Sequence, residues 1–135
     1  MFKLNNKLQN DTILIDSLQL SELLLMNDAK YPWFILVPKI PEIVELIDLE
    51  IDLQKILLDE INYVSHFLKT NFKADKLNIA TLGNVVKQFH VHVVARYKDD
   101  HTFPDPIWSG NIPVKYDDSQ INNIITKYHE FRNSN

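Results

Sequence analysis

Apolar residues fall along this chain in short runs broken by turn-forming residues, and twice in a longer stretch with helical spacing. Thr12-Ile13-Leu14-Ile15-Asp16, bounded by Asn10-Asp11 and Ser17, predicts a strand, and Glu22-Leu23-Leu24-Leu25-Met26 a second. Both compositions also suit helix; shortness and spacing decide for strands. After Asn27-Asp28-Ala29-Lys30 and the Tyr31-Pro32 break, Trp33-Phe34-Ile35-Leu36-Val37 runs apolar to Pro38, the pattern of a strand buried on both faces. Pro41 opens a short helical turn over Glu42 to Leu46, and Asp48 is placed to cap a long helix from Glu50 to Phe72. Leu53, Ile56, Leu57, Ile61, Val64, Phe67 and Leu68 share one face of that helix, with His66 on the other side. Glu60 falls among the apolar positions and has no evident partner.

Leu77-Asn78-Ile79-Ala80-Thr81 predicts a fourth strand, and Gly83-Asn84 gives a tight-turn signal after it. From Gln88 to Arg96 the chain alternates: Phe89, Val91, Val93 and Ala95 at odd positions, Gln88, His90, His92 and Arg96 at even ones, with Val94 the one apolar member of the even row. On a strand these two rows face opposite sides. The odd row predicts the buried face, and the even row gathers an amide, two imidazoles and a guanidinium on the other. The simplest pairing is antiparallel with the strand before it, which brings Asn78 near Asn84 and the histidines. Phe103 to Gly110 is a loop with two prolines, and a last amphipathic helix begins near Asp118-Ser119, with Ile121, Ile124, Ile125, Tyr128 and Phe131 on one face. The order β-β-β-α-β-β-α predicts one α+β domain over residues 1–135, with one long helix and a C-terminal helix on a mostly antiparallel sheet of about five strands.

The chemistry this pattern suits is phosphoryl transfer. One imidazole attacks phosphorus while its neighbours hold the non-bridging oxygens, and backbone near Gly83 is free to approach an anion. Arg96 is either a phosphate ligand or a solvated residue at the strand end. Asn78 and Asn84 suit turns as well as phosphate contacts, and Trp33 and Trp108 read first as packing residues.

Composition narrows the partners. At 135 residues, 45% hydrophobic and 24% charged, the chain is an ordinary globular one. A formal charge of −4 argues against a nucleic-acid polymer as partner, though a local donor cluster still suits a small anionic nucleotide. Without cysteine there is no disulfide, thiolate chemistry or Cys-based zinc site. No apolar run approaches the ~18 residues of a membrane span and the N-terminal residues lack a signal core, so a soluble cytoplasmic protein is expected.

Gln88-Phe89-His90-Val91-His92-Val93-Val94 resembles the His-φ-His-φ-His-φ-φ signature (φ apolar) of the histidine-triad (HIT) nucleotide hydrolases and transferases, with Gln88 at the first histidine position. Gly83-Asn84 resembles the family's glycine followed by a phosphate-contacting amide. Asn27-Asp28 followed by the apolar strand to Val37-Pro38-Lys39 resembles its nucleoside-side segment. Phe103-Pro104 through Trp108-Ser109-Gly110 resembles the tail of bacterial members of the diadenosine tetraphosphate hydrolase type. The resemblance implies a HIT-like fold and catalysis by His90 as nucleophile with His92 and Gln88 beside it. It further implies substrate contacts from Gly83, Asn84, Asn78 and, on the ribose, Asp28, with no required cofactor or metal, and a homodimer. Dinucleoside polyphosphates and nucleoside phosphoramidates are the implied substrates, attacked at the α-phosphorus.

Two other classes remain open on sequence. A nucleotide-binding module without turnover is favoured by Gln88, which cannot titrate near neutral pH as histidine does. A metal-dependent phosphohydrolase would use the imidazoles as ligands and needs a third, for which His101 and Asp99 or Asp100 are the nearest residues in sequence.

Overall fold

A computed structural model describes residues 1–108 and 110–135; Ser109, within the expected proline-containing loop, lies outside the described residues. Five strands form one antiparallel sheet in the order β1-β2-β3-β5-β4: β1 (Thr12–Ser17), β2 (Ser21–Met26), β3 (Trp33–Pro38), β4 (Lys76–Ala80) and β5 (Val91–Arg96). Three α-helices accompany them: α1 (Asn6–Asp11), α2 (Ile51–Phe72) and α3 (Asp118–Ser134). This is the expected α+β arrangement, with β5 drawn into the interior between β3 and β4.

Strand alternation sorts the core into two layers. Leu23 and Leu25 of β2, Phe34 and Leu36 of β3, and Val91, Val93 and Ala95 of β5 turn to one side, against the α2 and α3 faces. Phe67 is the hub there, edge-on to Phe34, Phe72 and Tyr128 at ring separations of 5.5–5.7 Å. Truncating so well-packed an aromatic costs about 3–5 kcal/mol. The intervening residues Leu24, Trp33, Ile35, Val37 and Val94 turn to the opposite side and meet Leu8 of α1, Tyr31 and Ile107. The even row of β5 is therefore buried as thoroughly as the odd row, whereas the alternation predicted the buried face for the odd row. No helix among the described residues is long and apolar enough to cross a membrane.

Local departures have local causes. Asp48 does not cap α2: its carboxylate accepts from the Val44 and Glu45 N–H groups and closes a 3-10 turn over Leu46–Asp48, while α2 starts after Glu50 without a side-chain cap. The helical turn expected at Glu42 to Leu46 does not form, and Glu42 takes φ +61°. Strand β5 begins at Val91, so the tight turn expected after β4 is instead the irregular connection 81–90, with Gly83 at φ +73°. Glu60 finds its missing partner in the main chain: Leu20 N–H donates to its carboxylate at 2.8 Å.

Candidate active site

The two histidines stand where the irregular connection becomes β5. His90 is 6% and His92 8% exposed, and both line a cavity of ≈ 310 Å³ with Gly83, Asn84 and Trp108, within the volume range of small-molecule sites. Their rings are 4.9 Å apart. The rest of the wall is largely apolar and includes Leu8, Leu82 and Val86. A second cavity of ≈ 560 Å³ adjoins it, sharing Lys7, Met26, Trp33 and Trp108 and adding Asn27, Asn111 and Lys115.

Fixed partners define what each imidazole offers. The His90 Nδ1 lies 2.7 Å from the Gln88 carbonyl oxygen, which only accepts, so Nδ1 carries the proton and the neutral ring has its lone pair at Nε2. His92 is set the opposite way. The Trp33 indole N–H, which only donates, points at His92 Nδ1 at 2.9 Å, so the neutral ring bears its proton on Nε2. Burial, and secondarily the neighbouring His90, push His92 down to about 4, so it is neutral at physiological pH. Trp33 and Trp108 flank the His92 ring, at centroid distances of 5.7 and 5.2 Å. Among the described residues no hydrogen bond is made to either Nε2. The site thus pairs an imidazole lone pair with an imidazole N–H donor.

Four of the expected site residues are not brought to this cavity. Gln88 directs its side-chain amide at the N-terminal arm, accepting from Asn5 N–H at 2.8 Å and donating to the Lys3 carbonyl at 2.9 Å. Arg96 is neither solvated nor open to a ligand. It is 1% exposed, and its guanidinium engages both carboxylate oxygens of Asp100, the Asn78 side-chain oxygen, the Thr102 hydroxyl and the Asp105 carbonyl. The guanidinium also sits against the Tyr31 and Phe103 rings. Asn78 is correspondingly occupied by Arg96 and does not line the cavity. Asp28 is wholly buried and pins the chain after Gly110, accepting from the Asn111 side chain and from the Lys30 and Val114 N–H groups.

The residues thought nearest for a metal are also spoken for or turned outward. Burial opposes ionisation of Asp100, but the Arg96 guanidinium and three backbone N–H donors outweigh it and hold the carboxyl down at about 2. His101 is exposed. No group of three or more His, Cys, Asp or Glu side chains converges among the described residues.

Sequence reasoning missed two contributors. One is Trp33 as the hydrogen-bond partner of His92, 59 residues away, a residue read from sequence first as packing. The other is the N-terminal segment, whose Lys7, Leu8 and Asp11 form part of the cavity wall. Its signal was Asn5, an N-cap residue whose side chain accepts from the Lys7 and Leu8 N–H groups; six helical residues are too few to show a period.

Comparison with known proteins agrees with this geometry. Residues 7–99 match the HIT domain. The chain is similar to the histidine triad protein blr8122 of Bradyrhizobium japonicum, at 44% identity and a TM-score of 0.93 over 96% of each chain. A histidine triad (HIT) protein of Sinorhizobium meliloti 1021, SMc02904, gives 37% identity and a TM-score of 0.93, again over 96% of each chain. A histidine triad protein of Marinobacter aquaeolei VT8 gives 37% and 0.94, over 97% of this chain and 96% of that one. No curated protein matches the chain.

Proposed function

Because this chain belongs to the HIT domain family, we propose that it is a nucleotide hydrolase or nucleotidyl transferase acting at the α-phosphorus of dinucleoside polyphosphates or nucleoside phosphoramidates. The observation that carries the proposal is the opposed pair of tautomers, a lone pair on His90 Nε2 and an N–H on His92 Nε2, in two rings that line one cavity. His90 Nε2 attacks phosphorus; the N–P bond forms as the bond from phosphorus to the leaving group breaks. The ring becomes cationic, and its Nδ1–H bond to the Gln88 carbonyl becomes charge-assisted. His92 Nε2–H, with N–H groups in the Gly83-Asn84 segment, stabilises the phosphoryl oxygens as charge builds on them. In the hydrolase, water then attacks phosphorus, loses a proton, and the N–P electron pair returns to His90 Nε2. Splitting one displacement into two is the gain from covalent catalysis. The apolar wall with Trp108 suits the flat face of a base.

The test is a substrate panel of diadenosine polyphosphates and an adenosine phosphoramidate, with AMP release followed for the parent and His90→Asn, and mass spectrometry of rapidly quenched parent. AMP release by the parent, its loss in the variant and an AMP-bearing peptide containing residue 90 are expected. Undiminished turnover in His90→Asn would rule out this nucleophile. A second reading, nucleotide binding without turnover, is favoured by Gln88, whose amide leaves the site with two imidazoles instead of three; it predicts AMP binding by the parent with neither adduct nor product. A homodimer belongs to the same proposal, since β4 is an open sheet edge with Ile79 half exposed; light scattering at micromolar concentration tests it, and a monomer there would remove it.

A further inference from the structure

We infer that Gln88 is a positioning residue that fastens the N-terminal segment over the cavity, so that substrate affinity, more than the chemical step, depends on it. The inference rests on the proposed function for its kinetic readout and stands apart from it for its structural one. Gln88 accepts from Asn5 N–H through Oε1 and donates through Nε2 to the Lys3 carbonyl. A C=O and an N–H two residues apart, flanking Leu4, are the groups that one residue engages across a parallel bridge, and here a side-chain amide engages them in place of a backbone. The clamp holds the chain next to the residue that starts α1: Asn5 caps the helix through its side-chain oxygen, at 2.8 Å from Lys7 N and 3.4 Å from Leu8 N. Helix α1 then delivers Lys7, Leu8 and Asp11 to the wall of the cavity that holds His90 and His92. Six residues do not hold a helix by propensity alone, so the orientation of that wall depends on its anchors.

An amide suits this duty better than the imidazole that the family signature would place here. It donates and accepts at once at every pH, whereas a protonated imidazole has no acceptor for Asn5 N–H. The same residue's carbonyl receives His90 Nδ1–H. Position 88 therefore links the arm and the nucleophile through separate groups, the side chain for one and the main chain for the other. Replacing the side chain leaves the carbonyl in place.

The experiment compares the parent, Gln88→Ala and Gln88→Glu by amide hydrogen exchange and by steady-state kinetics on a diadenosine polyphosphate. In Gln88→Ala, exchange across residues 4–8 is expected to rise at least tenfold while β5 amides stay protected. KM is expected to rise about tenfold with kcat falling less than threefold, the signature of lost uniform binding. Gln88→Glu keeps the acceptor for Asn5 N–H but sets a carboxylate against the Lys3 carbonyl, so it is expected to fall between the two. Unchanged exchange in residues 4–8 of Gln88→Ala overturns the clamp, whatever the enzyme does. Faster arm exchange with kcat collapsed and KM unchanged overturns the affinity role. Absence of AMP release from the parent itself refutes the proposed function while leaving the exchange result to decide the clamp.

Discussion

Strand β5 carries buried polar side chains at both ends, and the two ends are built on opposite terms. At its C-terminal end Arg96 is engaged throughout: all three guanidinium nitrogens bond to side-chain or main-chain oxygens, and two aromatic rings lie against it. At its N-terminal end each imidazole has one nitrogen fixed by the protein and the other without a hydrogen-bond partner among the described residues, and both rings line a cavity. Burial is nearly equal at the two ends. Burying a polar group is costly unless it is paired, so an end that leaves half its capacity to a ligand gives up stability that the engaged end keeps. The difference teaches that a buried polar residue points to chemistry when its inventory of partners is incomplete, and to architecture when it is full.

The sharpest way to break this contrast is to exchange the consequences. His90→Asn is expected to cut AMP release by at least about a thousandfold while its urea midpoint moves little, since one buried hydrogen bond is worth ~1 kcal/mol. Arg96→Ala should do the reverse. It leaves Asp100 buried without its cation, and breaking a buried pair costs about 3–5 kcal/mol, read as a lower urea midpoint at pH 7. What folded Arg96→Ala remains should bind AMP within a few fold of the parent; a specific loss of AMP affinity at undiminished stability would return Arg96 to the site.

The same contrast explains what was legible beforehand. The alternation of β5 was readable because a strand has period two whatever surrounds it, and it put Phe89, Val91, Val93 and Ala95 on the side of α2. The apolar run from Trp33 to Val37 was readable as a two-sided strand for the same reason, and the spacing from Leu53 to Leu68 as one helical face. Sequence could not tell the open end of β5 from the closed one, because that depends on how the loop after β5 folds and on a partner in another strand. Arg96 is closed by Asp100, Thr102 and Asp105, which curl back only once the loop has folded, and His92 is oriented by Trp33 from another strand. Asp28 illustrates the limit most directly. Its neighbours Asn27 and Lys30 mark a turn, but its partners Asn111 and Val114 lie more than eighty residues on and convert it from an available carboxylate into an anchor. Gln88 reads as a defect in a signature until its partners in the N-terminal arm are seen.

An intermediate effect, on pH, separates His92 from ordinary buried residues. Its folded value of about 4 lies below the 6.5 of a free imidazole, so the unfolded chain takes up a proton first as pH falls. The neutral ring's share of stability is intact above about 6.5 and is lost progressively as pH drops towards 4. By pH 4.5 the loss should be about 2–3 kcal/mol, taking each unit of pKa difference as ~1.4 kcal/mol. Urea unfolding of the parent and His92→Gln at pH 7.5 and 4.5 isolates it, because carboxylate titrations are common to both. An equal acid loss in the two proteins would show that His92 protonates as readily folded as unfolded, and the open end of β5 would then be a solvated one.

The smallest expected effect tests the hinge of the comparison, the indole that fixes His92. Trp33→Phe keeps an aromatic ring in the position flanking His92 and removes only the N–H that meets Nδ1. Burial continues to disfavour the charged ring, so most of the depression of His92 should persist; what disappears is a donor that made Nδ1 a poor site for a proton. The His92 midpoint, followed by its ring resonances, is expected to rise by about one pH unit, the equivalent of one net hydrogen bond of ~1.4 kcal/mol. Neutral imidazole keeps access to the Nε2–H form without help, so kcat should fall by no more than about tenfold, through a ring freer to rotate away from the phosphoryl oxygens. A midpoint that does not move would mean that burial alone holds His92 neutral and that the tryptophan is only a wall. A fall in kcat as deep as that of His90→Asn would mean instead that the proton on Nε2 is the main source of the rate, and that the two imidazoles act as a single unit.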